Sequence, residues 1–205
     1  MKANWVEKLW INGPWRTVFI ARNVRFFRTI HPLDEPVRVL DVGCGQGVGS
    51  RMVAGAFRAR RVDAIDIDPL MIRRATRRLK SIPSGKIHFS VGDAEALPFE
   101  DESMDAVFDF GILHHLEDWQ RGIREIARVL KPGGAFYFEE YFPASYEGPI
   151  LRSILEHPTE NRFDGVDFLS EVARSGMTVL DDARETKYIV LAVALKHFRN
   201  EPGDQ

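Results

Sequence analysis

Short apolar runs alternate with segments of helical periodicity through most of the chain. Strands are predicted for residues 37–42, 62–67, 86–91, 104–110 and 135–141, and helices for residues 48–57, 69–79 and 119–130. Strand and helix follow each other at the spacing of βαβ units. The sequence therefore predicts an α/β fold in which helices cover both faces of a mostly parallel sheet.

Two helix boundaries carry signals of their own. Pro69 lies in a first helical turn, where its missing N–H is not needed, and Asp68 before it is a good N-cap. The segment Lys131-Pro132-Gly133-Gly134 is expected to break the preceding helix sharply. Both signals agree with the helix limits that the periodicity gives.

The last part of the chain departs from this alternation. Residues 164–175 predict a helix that begins with a capping-box-like pair, Asp164 and Asp167. Residues 177–180 and 188–195 predict two strands joined by a short polar link. Such a pair favours an antiparallel hairpin that closes one edge of the sheet.

Two stretches outside the alternation are predicted to cover a substrate. They are an N-terminal cap over residues 1–33 and an insert over residues 142–163, within a main domain over residues 34–205. The residues that suggest them are Trp5, Trp10, Trp15, Phe19, Phe26 and Phe27 in the first, and Ile150, Leu151, Ile154 and Leu155 in the second. Two interpretations of the tryptophans stay open, a lid over an apolar or cationic substrate and packing onto the sheet.

Composition restricts the class of protein. The chain has 205 residues, of which 44% are hydrophobic and 28% charged, as in globular proteins that fold without disulfides or metals. Its single cysteine, Cys44, and the lack of zinc spacing predict a reducing, cytoplasmic setting and no metal site. No apolar run approaches the ~20 residues of a membrane span, and the N-terminus lacks the apolar core of a signal peptide.

Charge argues against nucleic acid as a partner of the whole chain, because the net charge is −2. One basic cluster stands out. It comprises Arg73, Arg74, Arg77, Arg78 and Lys80, near Arg58, Arg60 and Arg61. A nucleic-acid or anionic-membrane patch is one interpretation of this cluster. A solvated helix face is favoured, because the rest of the chain is acidic in balance.

A glycine-rich turn, Gly43-Cys44-Gly45-Gln46-Gly47, follows the first strand. Glycines let the backbone turn sharply and approach a ligand, and the following helix offers unpaired N–H groups. Val48 replaces the third glycine of the dinucleotide pattern, and Asp41 before the turn suits a cationic ligand end better than pyrophosphate. Cys44 is interpreted as a small loop residue, because no histidine is near in sequence.

Acidic residues also follow the next two strands. Asp66 ends the second strand, where a carboxylate can accept both hydroxyls of a ribose. Asp93 follows the third strand and can accept from an adenine amino group, with Ala94 contributing a backbone N–H. The ligand is expected to lie across the carboxyl ends of the strands.

Four motifs occur in order along the chain. They are Leu40-Asp41-Val42-Gly43-Cys44-Gly45-Gln46-Gly47, Ile65-Asp66-Ile67-Asp68-Pro69, Gly92-Asp93-Ala94-Glu95-Ala96-Leu97-Pro98-Phe99 and Leu130-Lys131-Pro132-Gly133-Gly134, with Phe110-Gly111-Ile112-Leu113-His114-His115-Leu116 before the last. Together they resemble the class I methyltransferases that depend on S-adenosyl-L-methionine (SAM). The resemblance covers roughly residues 37–141 and is greatest to the ubiquinone and menaquinone biosynthesis branch.

The resemblance implies a Rossmann-like, doubly wound sheet of seven strands with an antiparallel last strand. It implies SAM as cofactor and S-adenosylhomocysteine (SAH) as product. It also implies that Asp41, Gly43, Cys44 and Gly45 surround the methionine part, Asp66 holds the ribose, Ile67 and Met71 flank the adenine, Asp93 and Ala94 read its edge, and Phe110 and Gly111 line the sulfonium end.

Methyl transfer by in-line displacement needs mainly alignment and desolvation, and it needs a base only when the acceptor arrives protonated. We select His115, Glu140 and Tyr141 as candidate catalytic residues, although packing of the His114–His115 pair on the following helix is favoured. Because neighbours on a strand point to opposite faces, one of Glu139 and Glu140 is expected to reach the pocket while the other is solvated or paired.

The predicted function is methyl transfer from SAM to a small-molecule acceptor of apolar or aromatic character. The alternatives are a catalytically inactive SAM- or SAH-binding partner protein, an RNA or protein methyltransferase, and a nicotinamide-dependent dehydrogenase. Nucleic acid and a membrane span are not expected.

Overall fold

Strand and helix alternate in the computed structural model, which describes residues 13–33, 37–83, 85–146 and 161–198. The helices are α1 (Pro14–Ile30), α2 (Val48–Ala56), α3 (Pro69–Arg78), α4 (Trp119–Val129) and α5 (Gly165–Arg174). The strands are β1 (Arg38–Val42), β2 (Arg61–Asp66), β3 (Ile87–Val91), β4 (Met104–Phe110), β5 (Leu130–Tyr141), β6 (Met177–Val179), β7 (Arg184–Glu185) and β8 (Ile189–Lys196). The predicted elements are confirmed to within a few residues.

The strands form one sheet in the order β3-β2-β1-β4-β5-β8-β6, with the two-residue β7 paired to β8. Strands β1 to β5 are parallel, and β8 is antiparallel to both β5 and β6. The Rossmann-like fold and the antiparallel last strand are therefore confirmed. The strand order reverses between β1 and β4, and open α/β sheets bind ligands at the carboxyl ends of the strands beside such a reversal.

Two apolar cores lie on opposite faces of the sheet. One contains Phe27 of α1 and Phe57 beside α2, which pack against the stacked rings of Phe108 and Tyr137. The other packs α4 and α5 against the sheet, with Phe168 among its fully buried side chains. Because both faces of the sheet are covered, the central strands are buried along their length, and their sequences are continuous apolar runs.

Helix α1 belongs to the predicted N-terminal cap, and it packs on the sheet through one side. Phe27 is fully buried, whereas Trp15 is 41% and Phe19 45% exposed. Phe27 therefore packs onto the sheet, whereas the side chain of Trp15 is partly exposed to solvent. Trp5 and Trp10 lie outside the described residues, as do Ile150, Leu151, Ile154 and Leu155 of the predicted insert.

The helices begin at the capping residues that the sequence predicts, but strand β5 begins earlier than predicted. The side chain of Asp68 caps α3, and Asp164 and Asp167 form a complete capping box at α5. Residues 131–134 end α4 as expected but do not form a loop, because β5 already begins at Leu130. The strand takes up these residues as an irregularity in its pairing with β4, and a positive φ of 75° at Gly133 permits it.

Candidate active site

The glycine-rich turn after β1 is held by contacts at Gly43 and Cys44, and its backbone is accessible at Gly45. The backbone N–H of Cys44 donates to the carbonyl of Ile65 at 2.8 Å, which ties the turn to β2. Gly43 has a φ of 66°, and a Cβ there would overlap the side chain of Ile112. At Gly45, whose φ is 52°, a Cβ would meet no atom within 4 Å. The backbone at Gly45 is therefore open to a ligand.

Asp66 joins the carboxyl ends of three strands. Its carboxylate accepts from the N–H of Gly45 at 2.9 Å and from the N–H of Asp68 at 2.8 Å. The backbone carbonyl of Asp66 accepts from the N–H of Gly92, at the start of the loop after β3, at 3.2 Å. A carboxylate has about four lone-pair sites, so Asp66 retains capacity for further donors.

The residues predicted to contact adenine differ in accessibility. Ile67 is 43% exposed, whereas the side chain of Met71 is buried. Asp93 is exposed, and its carboxylate accepts from the N–H of Glu95 at 2.9 Å, while Ala94 is buried. The structure therefore leaves Ile67 and Asp93 accessible at this edge, and Met71 and Ala94 lie beneath the surface.

Four carboxyl side chains are buried at the ends of β1, β4 and β5. They are Asp41, Asp109, Glu139 and Glu140, each no more than 2% exposed. We call this group the carboxylate cluster. Buried carboxyl groups in such numbers are costly unless protons, hydrogen bonds or cations compensate them.

Asp41 is compensated in part by a hydrogen bond. Ser50 Oγ donates to Asp41 Oδ2 at 2.5 Å. Burial nevertheless raises the pKa of Asp41 to about 7, and the neighbouring carboxyl groups of Asp109 and Asp66 add to the rise. Asp41 is therefore poised to ionise when a cation binds next to it.

Asp109 and Glu140 act as a pair. Asp109 Oδ1 accepts from the N–H of Ile112 at 2.9 Å, and as a carboxylate its Oδ2 would be buried without a partner. Burial and the charge of Glu140 hold the pKa of Asp109 well above its usual range, so Asp109 is protonated and donates to Glu140. Burial raises the pKa of Glu140 to about 7 despite this hydrogen bond.

His114 completes the environment of Glu140. Its Nδ1 lies 2.6 Å from Glu140 Oε2, and the N–H of Leu113 donates to Oε1 at 2.6 Å. Burial and the charge of Arg16 lower the pKa of His114 to about 3, so the imidazole is neutral and this contact is not an ion pair. The ring of His114 also stacks on that of Tyr146, and packing of the histidine pair on the following helix stays a prediction. The half-buried ring of His115 lies 4.1 Å from that of His114.

Arg16 of α1 supplies a positive charge to the cluster. It donates to Glu139 Oε2 at 3.1 Å, to the hydroxyl of Tyr141 at 3.2 Å and to the carbonyl of Phe110. The Tyr141 hydroxyl donates in turn to Glu139 Oε1 at 2.6 Å, and burial raises the pKa of Tyr141. Glu139 is thus paired and not solvated, and both glutamates at the end of β5 are buried.

Arg16, Asp109 and Ser50 also contact the predicted site residues, although none of the three was expected there from the sequence. Arg16 and Glu139 are 123 residues apart, so no local pattern connects them. Asp109 could have been found, because it is a polar residue near the carboxyl end of an otherwise apolar stretch of β4. Among the described residues no group of His, Cys, Asp and Glu could hold a metal ion, and burial raises the pKa of the Cys44 thiol, which agrees with a loop role.

Comparisons with known proteins agree with this geometry. Residues 40–138 match the family model described as a methyltransferase domain. An O-methyltransferase of Penicillium expansum is 30% identical over 152 residues, which cover 72% of this chain and 55% of that protein. A 2-methyl-6-phytyl-1,4-hydroquinone methyltransferase of a Synechocystis species is 33% identical over 141 residues, 65% of this chain and 43% of that protein.

A solved structure of a SAM-dependent methyltransferase from Aquifex aeolicus superposes with a TM-score of 0.73. It is 19% identical, and the match covers 93% of this chain and 97% of that chain, so this likeness shows the fold. The chain itself spans about half the length of the curated relatives named above.

The fold and the site together define a class of protein, the Rossmann-like methyltransferases. Residues 40–138 of this chain form a class I SAM-dependent methyltransferase domain, and SAM is the cofactor that this family and fold imply. The residues present fit a ligand of that kind, because the carboxylate cluster is an anionic surrounding for a cationic ligand. The open backbone at Gly45 lies in the turn that follows Asp41 and donates a hydrogen bond to Asp66.

Proposed function

We propose that the chain transfers a methyl group from SAM to a small-molecule acceptor. The observation that carries this proposal is the carboxylate cluster at the reversal of strand order, in which four carboxyl groups are buried and Glu139 is paired with Arg16. SAM carries a sulfonium and an ammonium group. Cations of this kind stabilise the ionised form of buried carboxylates such as Asp41.

The proposed cofactor contacts run along the carboxyl edge of the sheet. They are Asp41, Gly43, Cys44 and Gly45 for the methionine part, Asp66 for the ribose, Ile67, Met71, Asp93 and Ala94 for the adenine, and Phe110 and Gly111 for the sulfonium end. The accessible positions of Ile67 and Asp93 support the adenine assignment. The hydrogen bond between Asp66 and Gly45 supports a continuous binding surface from the turn to β2.

When bound, SAM supplies a methyl group that is activated by its sulfonium leaving group. The protein has to align the acceptor, exclude water and remove a proton where the acceptor carries one. Glu140 is the proposed base, because its pKa of about 7 matches the range in which a general base works near neutral pH. Neutral His114 connects Glu140 to the turn that carries His115, and His115 and Tyr141 are the proposed acceptor contacts.

The acceptor is proposed to be a hydroxyl compound or a hydroquinone, by analogy with the names of the two relatives. The N-terminal cap over residues 1–33 and the insert over residues 142–163 are proposed to enclose it. By the same analogy the acceptor is proposed to have apolar or aromatic character.

A turnover assay tests the proposed function. SAH formation is measured with SAM and a panel of phenols, hydroquinones and carboxylic acids, and products are examined by mass spectrometry for an added methyl group. Glu140→Gln is expected to lower kcat about a hundredfold or more, because general-base catalysis contributes on the order of 10²–10⁴-fold. Glu117→Gln, at an exposed carboxylate, is the matched control. Binding of SAM without turnover of any acceptor would favour the inactive binding protein.

A further inference from the structure

The helices on one face of the sheet carry no acidic residue. Helices α1, α2 and α3 all contribute to the apolar core on that face. Residues 13–33, 48–61 and 69–83, which contain these helices, lack Asp and Glu altogether. Their basic residues are Arg16, Arg22, Arg25, Arg28, Arg51, Arg58, Arg60, Arg61, Arg73, Arg74, Arg77, Arg78 and Lys80. Since the net charge of the chain is −2, the positive charge is concentrated on this face.

Most of these arginines have no carboxylate partner among the described residues. Arg16 pairs with the carboxylate cluster and Arg61 with Asp63. Arg22 instead lies over the ring of Phe19, at 5.4 Å from its centroid, and Arg25 is exposed beside a groove between α1 and α2. The charge of this face is therefore not neutralised within the described part of the protein.

The outward side of α1 adds an apolar stripe to this basic face. Trp15, Val18 and Phe19 are 41%, 69% and 45% exposed and are followed at helical spacing by Arg22 and Arg25. The opposite side of the helix buries its apolar residues against the sheet. Large apolar side chains beside arginines on one helix face are typical of helices that lie in a membrane interface.

We propose that the face formed by α1, α2 and α3 docks on the surface of a lipid bilayer with anionic headgroups. The arginines contact the lipid phosphates, and Trp15, Val18 and Phe19 enter the boundary between headgroups and acyl chains. Lipid is favoured over nucleic acid because Val18, the most exposed of the three, is aliphatic and offers neither stacking nor hydrogen bonding to a base. No described helix is long and apolar enough to cross a membrane, so this contact is peripheral.

Vesicle flotation of the full chain tests this surface. Vesicles of phosphatidylcholine alone are compared with vesicles that also contain phosphatidylglycerol, at low and high salt. We expect binding to the anionic vesicles that weakens as salt rises. Arg25→Glu is expected to weaken it about thirtyfold, since each charge near an anionic surface contributes about 1 kcal/mol and the reversal changes the charge by two. Phe19→Ser is expected to weaken it at both salt concentrations.

The matched control is Arg121→Glu on α4, which changes the same charge on the opposite face of the sheet and should leave vesicle binding unchanged. Circular dichroism and SAM titration of each variant establish that the fold is intact. Absence of wild-type binding, or equal losses in Arg25→Glu and Arg121→Glu, would overturn the proposal. Binding of mixed-sequence RNA by a protein that does not float with vesicles would overturn it in favour of nucleic acid. The test measures binding alone, so its failure leaves the proposed methyl transfer untouched.

Discussion

The buried carboxyl group of Asp41 lowers the stability of the cofactor-free protein when it is ionised. Its pKa rises from 3.8 to about 7 on folding, because burial disfavours the charged form. A carboxyl group with a raised folded-state pKa contributes stability that is fully present below the unfolded pKa and is lost as pH rises through the folded pKa. The cofactor-free protein is therefore expected to lose stability between about pH 4 and pH 7 at this residue.

The variant Asp41→Asn tests this account of a single residue. At pH 8 it should be more stable than the wild type by about 4 kcal/mol, which corresponds to a rise in Tm of about 8–16 °C. Near pH 4 the two proteins should have the same Tm, and the variant should lose SAM affinity. Thermal melts across this pH range measure the difference. A variant less stable than the wild type at pH 8, or one that binds SAM normally, would contradict the role given to Asp41.

At the residue scale, spacing and neighbouring chemistry allowed some site positions to be predicted. Asp41 and Asp66 follow buried strands, so the topology alone brings them to one edge of the sheet. Arg16 could not be predicted, because its contact with Glu139 depends on how α1 packs over the sheet. His114 was passed over for His115, since a sequence does not show which of two neighbouring rings turns towards Glu140.

At the scale of elements, the turn between β1 and α2 is held in one conformation at Gly43. Gly43 has a left-handed φ and lies against Ile112. The turn was predictable from the sequence, because several glycines between a buried strand and a helix are typical of a tight, ligand-binding turn. The continuation of β5 through residues 131–134 was not predicted, because proline and glycine usually end strands. These residues lie in an irregularity between Leu130 and Ala135, which both pair with β4.

Two glycine substitutions separate backbone strain from helix propensity. Gly43→Ala should destabilise the protein by about 1–3 kcal/mol and abolish SAM binding, because a Cβ there meets Ile112 and the φ is unfavourable. Gly55→Ala, within α2 and with nothing near its Cβ, should stabilise it by about 0.5–1 kcal/mol. Chemical denaturation measures both changes. Equal effects of the two substitutions would contradict the rigid turn.

At the scale of the whole molecule, charge is separated between the carboxylate cluster at the strand ends and the basic face of α1 to α3. The first is buried, and the second is exposed. From the sequence alone a solvated face was the favoured interpretation of the basic cluster, because net charge averages over the chain and conceals such a separation. Only the three-dimensional arrangement adds Arg22 and Arg25 of α1 to the basic residues of α2 and α3.

The most direct test of the central claim is calorimetric titration with SAM and SAH. The wild type is compared with Asp66→Asn, which retains one acceptor oxygen for the turn, and with Asp182→Asn, an exposed carboxylate between β6 and β7. We expect both ligands to bind the wild type and the control equally. Asp66→Asn should bind them about tenfold or more weakly, through loss of a charge-assisted hydrogen bond. Failure of the wild type to bind either ligand, or unchanged affinity in Asp66→Asn, would contradict a SAM site at this edge of the sheet.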